Sequence, residues 1–438
     1  MKFTKFGKAL LMSALSAGMV FGVSSCIQSY SVGYLYVTGT VTGQTGSNGI
    51  VSGYKIEHNT GKLSTINGLP VSSGGANPIR AVLISGSRFL YVLNRGVNAN
   101  GSGDCQDTTA ANVCNGANIE AFVVGGNGIL TPQGTYYTQG LNPFRLIADS
   151  SGSYLMALDR NAPTNAGCST IGQTTCADIT VFKIDSSTGR LSLVTNTVGT
   201  TTLGASLTYF PVPSNPIDFV LTGSTVVTLS GTPATGDSAF LYNYSSGQLT
   251  STSNTPQSLG ITKATGVVVA GGMLYVMSNE APSGKNATGA NSMIVPYQVS
   301  SGSLQAQSTG QIANDPNRSN PTYLMVEAKS KYLYIANQGN NTTGTNIAGS
   351  GITAYYITTS PAFALSFTTP ATFGSGTGPQ CIVEDPSNQY VYTANYNDST
   401  VSGRVINPNT GILEDMRVTS SYTLTGPPTW CLVDGRTN

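Results

Sequence analysis

Arg80, Arg145 and Asp218 each stand two residues after a proline in a recurring sequence context. A guanidinium presents a planar fork of donors that suits carboxylates and polyhydroxylated groups. Two arginines in consecutive copies with an aspartate after them, Arg80, Arg145 and Asp218, are expected to hold an anionic or polyhydroxylated ligand. The same place in the other copies falls near Thr265 and then on Tyr323, Cys381 and Trp430, so Tyr323 and Trp430 are expected to contact a ligand. The competing expectation is that both arginines pair with Asp218 or with strand-end carbonyls and lock neighbouring copies together.

A second set, Asn94, Asp159, Asn279, Asn337 and Asn395, ends the aromatic strands. Asn and Asp at such places ordinarily satisfy turn backbone groups. Asp159, the carboxylate of the set, is in addition a candidate ligand contact, and Arg95, Arg160 and Glu280 follow just beyond these strands. The only histidine, His58, precedes the Asn59-Thr60-Gly61 turn, which argues against Ser-His-Asp or Cys-His catalysis. No metal or cofactor is implied; an oxygen-ligated divalent cation is the one kind the composition leaves open.

The elements that must position these residues repeat about every 58 residues. The copies start at Asn77-Pro78, Asn142-Pro143, Asn215-Pro216, Asn320-Pro321, Gly378-Pro379 and Pro427-Pro428, with a further start lacking the proline between Thr262 and Gly266. Each opens with an apolar run such as Ala81-Val82-Leu83-Ile84 and turns through a polar segment such as Asp149-Ser150-Ser151-Gly152. An aromatic strand follows, as in Tyr332-Leu333-Tyr334-Ile335. A third strand alternates apolar and polar residues, as in Ile119 to Val123, before a Thr-Gly or Ser-Gly turn into a fourth. Four antiparallel strands per unit make a propeller blade.

The C-terminal Trp430 to Gly435 reads as an innermost strand with no second strand after it, and Tyr34-Leu35-Tyr36-Val37 as a second strand with no first before it. Joined, they complete one blade, so the chain is expected to be an all-β, seven-bladed β-propeller spanning 33–438, its ring closed by the C-terminal strand. Closure removes the sheet edges an open array would expose. Strand direction puts the long segments 95–118, 160–178, 280–292 and 338–351 on one face, the face expected to bind.

Charged residues are only 9% of the chain, 20 Lys and Arg against 19 Asp and Glu, which argues against a nucleic-acid partner. Lys2, Lys5 and Lys8 precede an apolar stretch from Ala9 to Val23, and Val23-Ser24-Ser25-Cys26 follows. This resembles a bacterial lipoprotein signal, with residues 1–25 removed, Cys26 lipidated and 26–32 a tether; an ordinary secretory signal is the alternative. Export to the cell envelope, on the periplasmic side or at the outer membrane, follows, with the lipid as the only membrane contact and a monomer expected. The other six cysteines fall into positional pairs, Cys105 with Cys114, Cys168 with Cys176 and Cys381 with Cys431, expected as disulfides.

Asn142-Pro143-Phe144-Arg145 with Asp149 to Gly152, Tyr332 to Asn337, and Gly378-Pro379-Gln380-Cys381 with Asp385-Pro386 and Tyr390 to Asn395 resemble the seven-bladed propellers of the lactonase family, which includes 6-phosphogluconolactonase-like proteins. The resemblance implies hydrolysis of a sugar or other lactone at the channel mouth, with Arg80 and Arg145 polarising a carbonyl or holding a carboxylate and Asp218 positioning water. It also implies a histidine after Gly-Pro-x, where this chain has Cys381. The alternative is a non-catalytic envelope propeller whose channel takes a small molecule or glycan, or whose long-loop face takes a peptide or protein.

Overall fold

A computed structural model describes residues 30–435 apart from 42–47, 85, 87, 99, 101–104, 106–112, 166, 201–205, 232–235, 252–255, 284–288, 301, 308, 341–347 and 360–361. The expected signal segment and Cys26 lie outside the described residues. The first strand, Ser31–Gly39, begins within the stretch expected as tether.

Seven antiparallel sheets form the blades. Blade 2 shows the unit: Pro78–Leu83 innermost, then Phe89–Asn94, Asn118–Val124 and Leu130–Tyr136. Blades 3 to 7 begin with Leu141–Ala148, Pro216–Thr222, Ala264–Ala270, Pro321–Val326 and Pro379–Glu384. Blade 1 takes its innermost strand, Pro428–Asp434, from the other end of the chain; Thr38 pairs with Trp430 and Tyr34 with Asp434. The innermost strands touch in an unbroken circle, as the split repeat requires. The outer edge is less regular than expected. In blades 1, 3, 4, 5 and 7 the third strand pairs with two short segments in place of one fourth strand, as Leu63–Thr65 and Val71–Ala76 do along Asn48–Glu57.

The starting dipeptides have a backbone cause. Asn77, Asn142, Asn215 and Asn320 all hold positive φ, between 53° and 62°, and Gly378 holds 73°. Asn and Gly are the residues that enter the left-handed region at least cost. Proline can then open a strand because its missing N–H faces no ladder partner. Blade 5 has Ala264 instead, which restores a donor; Asp237 Oδ2 accepts that N–H at 2.7 Å.

The aromatic strands staple blade to blade. The hydroxyls of Tyr36, Tyr91, Tyr334 and Tyr392 donate to the carbonyls of Gly128, Gly189, Gly411 and Gly61, each in the turn before the outer strand of the next blade. Such a buried bond is worth about 1 kcal/mol net. The turn glycines are needed sterically too: a Cβ on Gly61, Gly189 or Gly411 would stand under 2.5 Å from the ring of Tyr390, Phe89 or Tyr332. The apolar core consequently lies between blades, as where Tyr392 and Val401 of blade 7 meet Leu35 and Ile56 of blade 1.

All three expected disulfides form. Cys105–Cys114 and Cys168–Cys176 brace the long segments of blades 2 and 3, and Cys381–Cys431 ties the closing strand to blade 7.

Candidate functional site in the central channel

Every innermost strand carries a register slip between its blade-start residue, a proline in all but blade 5, and the residue two later, so that Pro78 faces Asn94 but Arg80 faces Leu93. The same bulge occurs in the other six blades. A bulge re-aims a side chain, and here it brings one ring of residues to the waist of the channel. The ring is Arg80, Arg145, Asp218, Gly266, Tyr323, Cys381 and Trp430. In blade 5 the register puts Gly266 at this level in place of the expected Thr265, because the copy without proline offered no marker. Thr265 instead donates its hydroxyl to Pro321 O at 2.9 Å, as Thr322 does to Pro379 O at 2.9 Å.

The ring resolves into two clusters. Arg145 Nε donates to Asp218 Oδ1 at 3.1 Å, and its NH1 group donates to the Phe144 carbonyl at 3.2 Å. Asp218 also accepts from the Phe219 N–H at 2.9 Å and, across the blade boundary, from the Val267 N–H at 3.1 Å. Space for that carboxylate exists because residue 266 is glycine; a Cβ there would stand 3.0 Å from Oδ2. Asp218 is therefore engaged as an anchor for Arg145 and blade 5, and the locking expectation describes this pair well.

The second cluster is different. The Arg80 guanidinium lies 3.7 Å from the centroid of Trp430, and Tyr323 meets Trp430 edge-on at 4.8 Å. Cys381, between them in the ring, is tied to Cys431. Among the described residues no hydrogen bond or ion pair is made by the Arg80 side chain. Burial first, and the Arg145 guanidinium second, pull its pKa below the ordinary arginine range, while Asp218 opposes them. It remains cationic at neutral pH. Burial pushes the Tyr323 phenol up, so that group stays neutral.

On either side of the waist the channel widens into two chambers of opposite character. The one on the long-loop face, about 510 Å³, is lined by Arg80, Arg95, Arg145, Thr265, Gln338, Gln380 and Tyr396. Arg160 stacks on Phe144 at 4.3 Å, and burial, Arg145 and Arg95 lower its pKa. Of the residues just beyond the aromatic strands, Glu280 accepts from the Thr262 N–H at 2.8 Å and hydroxyl at 2.7 Å, and so holds a turn. The opposite chamber, about 550 Å³, is lined mostly by aliphatic side chains, with Arg80, Arg145, Asp218, Tyr323 and Trp430 of the waist at its inner end. It also contains Glu384, a residue absent from the sequence-based candidates, whose carboxyl accepts from the Ala328 N–H at 2.8 Å and is raised to about 7, chiefly by burial.

Asp159 does not reach the channel. It is fully buried inside blade 3, where its neighbour across the ladder is Asp178. Thr138 donates to Asp159 Oδ1 at 2.7 Å, and the segment Thr138 to Gly140 packs over the pair, which removes the expected ligand contact. In blade 5 the register puts Ser278, not Asn279, at the equivalent level. Burial raises Asp159 to about 7, and burial together with the Asp159 charge raises Asp178 well above the carboxylate range. The folded protein thus keeps a proton that the unfolded chain gives up above about pH 4. The stabilisation is complete below that pH and is lost as pH rises through 7. Blade 2 has Asn94 and Asn118 at the same places, joined by a 2.8 Å hydrogen bond. Asp178→Asn is accordingly expected to raise stability at pH 8 by on the order of 1–3 kcal/mol and to flatten the pH 5–8 dependence of Tm. Calorimetry across that range checks this, and an unchanged slope would refute it.

Residues 283–429 match the family model described as Lactonase, 7-bladed beta-propeller. The chain is also similar to a Bacteroides fragilis NCTC 9343 protein provisionally named a 6-phosphogluconolactonase, at 14% identity and TM-score 0.62, over 92% of this chain and 98% of that one. A periplasmic gluconolactonase of Pseudomonas aeruginosa, PpgL, is similar at 14% identity and TM-score 0.60, over 92% and 99%. A Lactobacillus plantarum protein gives 14%, 0.60, 93% and 99%. At such identities the likeness establishes the fold. No curated protein matches the chain.

Proposed function

We propose that the protein is a lactonase-like propeller of the cell envelope that opens a lactone at the waist of its channel. The observation that carries this reading is Arg80, a cation 3.7 Å over the Trp430 ring with no hydrogen bond or ion pair to a described residue. A lactone carbonyl seated there accepts from the guanidinium. Water adds to the carbonyl carbon, and Arg80 stabilises the oxyanion that forms. The ring C–O bond then breaks, and the departing ring oxygen takes a proton originating from the attacking water. The product hydroxy acid ionises at neutral pH, and its carboxylate remains paired with Arg80 until release. Arg145, anchored by Asp218, adds positive potential at the same level without needing to move.

Export is part of the proposal, supported by three disulfides and by the lipoprotein-like Lys2 to Cys26 segment. Mature protein isolated from membranes should carry its acyl groups on Cys26. Turnover is tested by following acid release from glucono-1,5-lactone and γ-lactones; rates no higher than the spontaneous ones across the panel would remove the hydrolase reading. A second reading, a channel that binds a hydroxy acid or glycan without turnover, is favoured by one feature. Asp218 is engaged by three donors, and the channel walls hold no histidine.

A further inference from the structure

The side chains two residues beyond the waist ring face the channel again, and all seven are aliphatic: Val82, Ile147, Val220, Val268, Met325, Val383 and Leu432. Each is only partly buried, so together they give the chamber below the waist an apolar wall, broken by the Glu384 carboxyl. A site for a sugar alone needs no such wall, since hydroxyl groups placed against it would lose water without gaining partners. The chamber is not a sealed core void, because it opens at the short-turn face and contains Arg80 at its deep end.

We infer that this chamber is an acyl pocket: the channel's ligand carries an aliphatic chain, with its carbonyl or carboxylate at Arg80 and its chain against the ring of Val82, Val220 and Val383. The distance from waist to chamber mouth along an innermost strand such as Arg80 to Leu83 is about 10 Å. The chemical class is thus a medium-chain alkyl lactone, or the hydroxyalkanoate it opens to. Charge complementarity fixes the polarity of the fit, since the cation lies at the waist and the hydrocarbon wall lies beyond it toward the short-turn face. The inference rests on the proposed lactone site and adds the identity of the substituent.

Trp430 lines both chambers and is the only tryptophan of the chain, so its fluorescence reports occupancy without any turnover. Butanoate, hexanoate and octanoate should bind with dissociation constants falling about fourfold per added methylene, and KM for γ-alkyl lactones should fall in parallel. Val220→Asn should flatten the chain-length series; its melting curve reports whether it is folded, and the wild-type series stands without it. Equal affinities along the series, or an unaltered slope in folded Val220→Asn, overturn the acyl pocket. The two readings fail separately. Arg80-dependent opening of gluconolactone with no chain-length effect removes the acyl pocket alone, whereas chain-dependent alkanoate binding without turnover of any lactone removes the hydrolase reading alone.

Discussion

Arg80→Met is expected to lower kcat/KM for lactone opening by about 100- to 1,000-fold, the usual cost of removing one donor to a developing oxyanion. Methionine keeps the length and apolar stem that lie on Trp430, so packing changes little. Most of the loss should fall on kcat, because the charge on the carbonyl oxygen is greatest in the transition state. Arg145 does not substitute, since its Nε is committed to Asp218 and its NH1 group to the Phe144 carbonyl. Steady-state kinetics on protein with a wild-type melting curve checks the expectation. Retention of more than a tenth of wild-type kcat/KM would move the site away from Arg80.

Removing the closing disulfide should have the largest effect on stability. Cys381 and Cys431 are separated by 50 residues, which in the chain-entropy model corresponds to about 4 kcal/mol, against about 2.5 kcal/mol for the 8-residue separation of Cys168 and Cys176. The difference is amplified by position. Pro428–Asp434 is an innermost strand hydrogen-bonded to Ser31–Gly39, and it holds Trp430 beneath Arg80. Its detachment exposes a strand edge and the core shared by blades 7 and 1. Denaturant unfolding of the paired Cys381→Ala, Cys431→Ala variant should show the larger loss, and a loss no greater than that of the Cys168→Ala, Cys176→Ala variant would contradict the lock.

What could be read in advance follows from where the information is local. Asn before Pro marks a left-handed residue at a strand start, and the Tyr-x-Tyr strands with their Thr-Gly turns mark the inter-blade staples; both are short-range signals repeated around the ring. Blade 5 lacks the proline, so Gly266 and Ser278 could be located only by ladder register. Arg145 and Asp218 are 73 residues apart, and nothing in the chain distinguishes the arginine that pairs from the one that stacks. Asp159 resembles the other strand-end residues until the segment Thr138 to Gly140 is seen to cover it. The aliphatic ring of Val82, Ile147 and their counterparts was visible in the sequence as ordinary strand residues. Its role depends on the bulge that turns both rings, two residues apart, toward the channel.

The claim that joins these results is that ligand binds at the waist, against Arg80 and Trp430. The most direct test is a tryptophan fluorescence titration of the mature protein with gluconate and octanoate. Both should give a saturable change from Trp430 that is lost in Arg80→Met. A flat response to both ligands, or an equal response in the variant, would contradict it.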